Sequence, residues 1–263
     1  MIYGGLLLEN LVRQDGYYQL QMALFREGLI QGLQLLVAHP SFTPGFTEDD
    51  LQKILNELPA GLKFIVHYGA ENRGVDFGQR FDEKGVYAAH AGEMSWTQWN
   101  QETLKWGIAV AKRLKIAPQH PLGVAHIGYG QNPTDTEARD KISGLLAEYP
   151  NSRTIALENV PPLVLSGDES KCDYWGFGGT PEDMKQMMGH GQRCLIDFTH
   201  LIVGANQARD PKFSTYLPRL TLETAVQQYL ALPHWPICHF SGIPPTLMDS
   251  HDYLHIQPPF FLR

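Results

Sequence analysis

Five short apolar runs of this chain each end in a residue whose side chain can bind a metal ion. The terminal residues of these runs are His67, His126, Glu158, Asp197 and His239. An imidazole or a carboxylate at the end of a buried strand loses hydration, so it needs a partner that offsets the loss. A mixture of imidazole and carboxylate ligands suits zinc, manganese or iron. The recurring pattern therefore predicts a metal centre built from strand ends.

Each polar residue of this kind also has a structural interpretation. A buried histidine taken alone is more often a hydrogen-bonded core residue than a ligand. Asp197 has the alternative of capping the turn that follows it, and Asp249 that of a solvated loop charge. His39 ends a further apolar run, and it is a candidate substrate-binding residue or a structural one. The metal-site interpretation therefore depends on the five strand ends taken together.

Seven short, continuously apolar segments are predicted to be strands buried on both faces. They cover residues 3–8, 33–38, 63–67, 122–126, 154–158, 193–197 and 236–240. Helical patterns lie between several of them and begin with capping signals. These signals are Thr47 before an acidic turn, the boxes Ser95-Trp96-Thr97-Gln98 and Thr134-Asp135-Thr136-Glu137, and Thr180 followed by Pro181.

The alternation of strands and helices predicts an α/β fold with a parallel sheet. We predict that residues 1–263 form a single domain, a parallel (β/α) barrel of the TIM type. The carboxyl ends of its strands point to one face, where the polar strand ends would converge. Seven strands are clear, and an eighth is absent or atypical because the segment 255–262 contains Pro258-Pro259. A doubly wound open sheet is the alternative.

Composition excludes several classes of protein. The 263 residues are 43% hydrophobic and 19% charged, which is typical of a globular protein. The net charge of −7 argues against a broad basic nucleic-acid surface. Three cysteines without a CxxC pair predict reduced thiols in a cytoplasmic protein, and no signal or membrane segment is predicted. The chain has neither a GxGxxG nor a GxxxxGK[ST] motif, so nucleotide binding is not predicted.

Two segments are longer than plain connections and are predicted to contact the substrate. Both follow strands, so in a barrel both would lie on the catalytic face. Residues 68–94 and 160–179 supply the candidate substrate-binding side chains Tyr68, Asn72, Arg73, Arg80, Phe81, Trp175 and Phe177.

The order of the polar residues resembles the endonuclease IV and xylose-isomerase-like superfamily of TIM barrels, in particular AP endonuclease family 2. The resemblance covers roughly residues 30–255 and depends on His67, His126, Glu158-Asn159, Asp197 with His200, His239, and Asp249 with His251. It implies three ions, held respectively by His67, His126 and Glu158, by Glu158, Asp197 and His239, and by His200, Asp249 and His251. Glu158 would be the catalytic residue that holds or activates the attacking water.

The chain departs from this family in two places. The family closes its barrel with a strand that carries a glutamate ligand, and no such strand is recognisable here. Glu9, at the tip of the first predicted strand, is our hypothesis for the missing ligand. Tyr68 and Asn72 are out of register with the residues that follow the first histidine in DNA-acting members.

The resemblance implies a divalent-metal-dependent hydrolase in which metal-activated water attacks a phosphodiester of abasic DNA. Zinc is the expected cofactor, with two or three ions, and manganese, iron or magnesium are the alternatives. An isomerase or epimerase acting on a small sugar or sugar phosphate is the alternative activity, and a non-catalytic metal-binding barrel is the third interpretation. No membrane partner is expected, and a second copy of the chain could cover an open barrel edge.

Overall fold

The computed structural model describes residues 2–68, 94–130, 132–151, 153–165, 172–189, 191–211, 217 and 221–239. The strands in these ranges are β1 (Tyr3–Leu7), β2 (Gly32–Leu36), β3 (Lys63–His67), β4 (Val124–His126), β5 (Tyr129–Gly130), β6 (Ala156–Glu158), β7 (Leu163–Leu165), β8 (Cys172–Gly176), β9 (Arg193–Asp197) and β10 (His234–His239). The α-helices are α1 (Leu8–Arg13), α2 (Gly16–Arg26), α3 (Glu48–Glu57), α4 (Trp96–Arg113), α5 (Thr136–Ala147), α6 (Pro181–Met187), α7 (Phe198–Arg209) and α8 (Leu222–Leu230).

Seven of the strands form one sheet in the order β1-β2-β3-β4-β6-β9-β10. The pairs β1–β2, β2–β3, β3–β4 and β9–β10 are parallel. Helices connect strands along this sheet, so the predicted α/β fold with a parallel TIM-type sheet is confirmed. Within the described ranges no eighth strand joins it.

The seven strands of this sheet are the seven that the sequence predicts, and each boundary lies within two residues of its predicted place. The strands β2, β3, β4, β6 and β9 contain fully buried apolar side chains, as expected for parallel strands covered on both faces. Examples are Leu35, Val66, Ala125, Leu157 and Leu195. The first strand ends at Leu7, because Leu8 already begins α1.

The last strand, β10, carries a bulge next to β9. His234 pairs with Cys194 and Cys238 pairs with Ile196, so four positions along β10 correspond to two along β9. Pro236 lies within the bulge, where the missing N–H of proline removes no ladder hydrogen bond. Beyond the bulge the register brings His239 opposite Asp197. Cys238 lies within the predicted strand 236–240, where a free cysteine is usually buried, but it is exposed.

Three of the four predicted helix starts are confirmed. Thr47 and Ser95 form reciprocal capping boxes, and Thr180 caps α6 with proline following it. The fourth prediction is wrong by one residue, because the cap of α5 is Asp135, whose carboxylate accepts the N–H of Ala138 at 3.1 Å. Thr134 instead bonds to Asn132.

The long segment 160–179 is not an irregular loop where it is described. Its residues form β7 and β8, which pair as antiparallel strands, and β8 also pairs with β5. The three-stranded sheet β5-β8-β7 was not predicted from the sequence.

The described residues fall into two compact units. The first contains the described residues up to His126 together with those of 151–156, and the second contains those of 127–150 and those from Leu157 onward. The single domain predicted for residues 1–263 stays a prediction. None of the helices described has the length and apolar character needed to cross a membrane.

In the second unit an ion pair between the half-buried Arg139 and the buried Asp183 holds the turn after β8. Arg139 lies 2.5 Å from the carboxylate of Asp183, and its guanidinium stacks over the ring of Phe177 at 4.4 Å. The same carboxylate accepts the N–H of Gly178 at 2.6 Å. The hydroxyl of Tyr229 donates to the carbonyl of Gly178 at 2.5 Å. Helices α5, α6 and α8 are thereby joined around one turn.

In the first unit Tyr68 is fully buried and occupies space left by two glycines. A Cβ atom added to Gly107 or Gly123 would overlap the Tyr68 ring. We therefore expect Gly123→Ala to lower the free energy of unfolding by about 1–3 kcal/mol, because overpacking forces side chains and backbone to shift. Urea unfolding measures this change, and adding Tyr68→Leu to the variant should restore part of the loss.

Gly144 supplies the matched control for this substitution. It is exposed in α5, and a Cβ atom there meets no other atom. Gly144→Ala should raise the free energy of unfolding by about 0.5–1 kcal/mol through helix propensity. A Gly123→Ala chain as stable as the original would contradict the packing assigned to Tyr68.

Candidate metal centre

Three strand ends of the second unit meet at one cluster of ligand atoms. Glu158 ends β6 and is 1% exposed, and Asp197 ends β9 and is 6% exposed. His239 ends β10, and its Nδ1 lies 2.8 Å from Oε1 of Glu158. One ligand atom from each of the three residues lies within 4.8 Å of the other two. The sequence predicted this group as the ligands of the second ion.

Asp197 has the capping role that the sequence left open, and its role as a ligand stays a prediction. Its Oδ1 accepts the backbone N–H groups of Thr199 at 2.6 Å and His200 at 3.2 Å, so it caps α7. The cap fixes the rotation of the carboxylate, which leaves Oδ2 as the oxygen available to a cation. A capping role and a ligand role are therefore compatible in one carboxylate.

His200 lies in the first turn of α7, next to the same cluster. Its Nδ1 is 3.8 Å from Oδ2 of Asp197 and 3.9 Å from Oε1 of Glu158. Its closest contact is the backbone carbonyl of Asn159, at 2.6 Å. A carbonyl only accepts, so Nδ1 carries the hydrogen and the lone pair of the neutral ring is on Nε2. Histidine ligands of metals are commonly held in this way, with the second ring nitrogen bonded to a carbonyl.

Charge is unevenly distributed in this cluster. The carboxylates of Glu158 and Asp197 are both nearly excluded from water. Burial acts to lower the pKa of His239, but its ion pair and hydrogen bond with Glu158, together with the charge of Asp197, raise that pKa above its usual value. Two buried carboxylates favour a positive partner, which is either a protonated imidazole or a bound cation.

The donors of the cluster fit a divalent ion. Glu158 and Asp197 offer oxygen atoms and His239 offers a ring nitrogen, and this combination suits zinc, manganese or iron better than magnesium or calcium. The arrangement is a candidate metal centre with Glu158 as its most buried ligand. The sequence cue was the polar residue at the end of each apolar run.

The first unit contains two more of the predicted ligands. His67 ends β3 and is buried, and His126 ends β4 and is half-buried. Their rings meet edge to face, with centroids 5.2 Å apart. The sequence prediction that each of these two histidines ends a strand is confirmed. That they bind an ion with Glu158 stays a prediction.

Glu9 and His39 are two further candidate site residues that lie in the first unit. Glu9 lies in the first turn of α1, after the end of β1, and is 7% exposed. Its role as a replacement ligand stays a prediction. His39 is buried, stacks on Trp99 with centroids 3.7 Å apart and lies 3.4 Å from Glu102. Its Nδ1 accepts the N–H of Ser41 at 3.1 Å, and this contact begins the 3₁₀ turn Pro40–Phe42. These contacts describe the structural alternative for His39.

The predicted substrate-binding residues on the long segments are buried where they are described. Tyr68 is fully buried, Trp175 is 7% exposed in β8, and Phe177 is fully buried under Arg139. These positions give no support to direct contact with a substrate. Asn72, Arg73, Arg80, Phe81, Asp249 and His251 lie outside the described residues.

The sequence predicts no role for Asn159, which directly follows Glu158. Asn159 is fully buried and bonds to both Asp197 and His200. An amide directly after a ligand-bearing strand was the only available signal.

Comparison with known proteins gives structural matches only. No model of a protein family matches the chain, and no curated protein is similar to it. The chain is similar to the crystal structure of endonuclease IV from Thermus thermophilus, with 14% identity, coverage of 84% of this chain and 72% of that chain, and a TM-score of 0.43.

Two further solved structures are similar to the chain. One is the apo form of 3-keto-D-glucoside 4-epimerase from E. coli, with 13% identity, coverage of 96% of this chain and 97% of that chain, and a TM-score of 0.47. The other is a xylose isomerase domain protein from Alicyclobacillus acidocaldarius, with 13% identity, coverage of 81% and 71%, and a TM-score of 0.43. At 13–14% identity and TM-scores of 0.43–0.47, these structures assign no activity to the chain.

Proposed function

We propose that this chain is a divalent-metal-dependent hydrolase that cleaves phosphodiester bonds, with abasic DNA as its substrate. The observation that supports the proposal is the position of His200. Its imidazole is anchored by the Asn159 carbonyl beside Glu158 and Asp197, in the tautomer that offers Nε2 to a ligand. A phosphate has several oxygens to bind, so phosphoryl chemistry uses an additional donor that proton transfer in a sugar does not need.

The chain's own residues have distinct roles in this proposal. Glu158, Asp197 and His239 would hold an ion, and His200 would hold a further one with Asp249 and His251. A bound divalent ion lowers the pKa of water and stabilises negative charge on phosphoryl oxygens. Glu158 accepts the proton of the attacking water, and its burial keeps competing solvent away from the carboxylate. His239 orients that carboxylate through the 2.8 Å contact with Oε1.

The test is strand cleavage of a labelled DNA duplex that contains one abasic-site analogue. The purified chain loaded with Zn²⁺ is expected to cleave at the analogue, and excess chelator should abolish cleavage. His200→Gln should lower the rate by at least about a hundred-fold, because outer-shell partners alone contribute up to that much.

His234→Gln is the matched control. The Nδ1 of His234 also contacts a backbone carbonyl, that of Leu232 at 2.9 Å, but His234 begins β10 and lies outside the ligand cluster. This variant should cleave at the original rate. Cleavage that survives His200→Gln would contradict the proposal. An ion-loaded chain that leaves the duplex intact and epimerises a sugar would replace it with the isomerase interpretation.

A further inference from the structure

The side chain of Asn159 continues the sheet for one residue beyond the end of β6, opposite the last residue of β9. Its Nδ2 donates to the carbonyl of Asp197 at 3.0 Å, and its Oδ1 accepts the N–H of Asp197 at 2.6 Å. Neighbouring strands exchange backbone hydrogen bonds of this kind along a sheet. The amide therefore replaces a strand residue at the point where β6 has ended and β9 still needs a partner.

The backbone of the same residue fixes a second candidate ligand. The carbonyl of Asn159 accepts the hydrogen on Nδ1 of His200 at 2.6 Å. Asn159 thus contacts Asp197 with its side chain and His200 with its main chain. Its side chain is fully buried, so it acts through these two residues and not through contact with a substrate.

We propose that Asn159 is the positioning residue of the metal centre. Its side-chain amide sets the place of Asp197, and its carbonyl sets the tautomer of His200. The inference rests on the proposed function for the identity of the ligands. It adds that Asn159 is the residue that holds two of them in place. An amide suits this position because it offers one donor and one acceptor side by side and does not ionise near neutral pH. Asn159→Asp would place an acceptor against the carbonyl of Asp197, and Asn159→Ala would leave two backbone groups of Asp197 unpaired.

The chain contains a matched amide that distinguishes positioning from general stability. Gln207 is also fully buried, donates from Nε2 to the carbonyl of Leu163 at 2.7 Å and accepts the N–H of Leu163 at 3.1 Å. Leu163 is not a candidate ligand. Asn159→Ala and Gln207→Ala therefore remove the same kind of contact from the same unit, and only the first removes it from a ligand.

The experiment measures ion affinity on the full chain, with Co²⁺ absorption as the signal and Zn²⁺ as the competitor. Asn159→Ala is expected to weaken affinity by about 10- to 100-fold, the usual effect of removing an outer-shell partner. Gln207→Ala should lose about as much stability against urea as Asn159→Ala does. It should keep the ion affinity of the original chain. Equal affinities for Asn159→Ala and the original chain would overturn the inference, as would equal weakening in both variants or no ion binding by the original chain.

The predicted tautomer of His200 is checked by nuclear magnetic resonance on the chain labelled with ¹⁵N-histidine. Ion-free His200, identified by its absence from His200→Gln, should be protonated at Nδ1 in the original chain and in Asn159→Ala, because the carbonyl is present in both. Protonation at Nε2 would overturn the tautomer assignment. These readouts are independent of DNA cleavage. A chain that binds ions and responds to Asn159→Ala, but cleaves no DNA, would refute the proposed function and leave the positioning role in place.

Discussion

Replacing Glu158 by glutamine is expected to lower ion-dependent cleavage by on the order of a thousand-fold or more, since both a ligand and a proton acceptor are lost. Glutamine has the same shape and still accepts a hydrogen bond from His239, so the fold should persist. Removing one of two buried carboxylates also relieves repulsion with Asp197 in the ion-free chain. The variant should therefore fold but bind the ion poorly.

Thermal unfolding with and without Zn²⁺ measures both properties. The original chain should gain about 2.7 kcal/mol when free Zn²⁺ is a hundred times the dissociation constant. Glu158→Gln should gain little. Glu137→Gln is the control, because Glu137 is exposed on α5 and paired only locally with Lys141, where such a change has little effect. A Glu158→Gln chain with the original response to Zn²⁺ would falsify the assignment of this residue as a ligand.

The second large effect concerns stability and not the metal centre. Arg139→Met is expected to lower the free energy of unfolding by about 3–5 kcal/mol at pH 7, because it leaves the buried carboxylate of Asp183 without its cation. Lost packing against Phe177 adds to the effect. Adding Asp183→Asn should recover most of the loss, since an amide cannot ionise and still accepts the N–H of Gly178.

The pH dependence of this effect has a definite sign. Burial raises the pKa of Asp183, although the ion pair with Arg139 and the Gly178 hydrogen bond oppose the rise. A carboxyl group with a raised pKa in the folded chain contributes most below its ordinary value, and stability falls as pH rises through the raised value. Without Arg139 the rise is larger. Urea unfolding of Arg139→Met and of the double variant should therefore give similar stabilities near pH 4 and diverge toward pH 7, and parallel curves would refute the role of the buried charge.

The strand ends of this protein were predictable because two simple signals coincide at each of them. A run such as Ile155-Ala156-Leu157 is too apolar to lie on a surface, and the residue after it is too polar for a core. The parallel sheet then converts sequence spacing into proximity, which is how Glu158, Asp197 and His239 meet. Helix starts were predictable for a similar reason, since capping side chains act within three residues.

Other features depend on contacts that have no local pattern. The strands β7 and β8 lie in a segment rich in proline and glycine, and β5, which pairs with β8, is two residues long, so no periodicity marks them. The burial of Tyr68 is set by gaps at Gly107 and Gly123, which are distant in sequence. The role of Asn159 requires an amide to replace a strand residue, and no residue spacing predicts that replacement.

The bulge in β10 makes the metal centre dependent on the number of residues in this strand. Successive side chains of a strand point to opposite faces of the sheet, so an insertion of one residue would exchange the two faces. The bulge adds two positions relative to β9 and preserves the parity of the strand. His239 therefore reaches the face where it meets Glu158. One residue more or fewer between His234 and Cys238 would turn this imidazole to the opposite side, whatever the residue was.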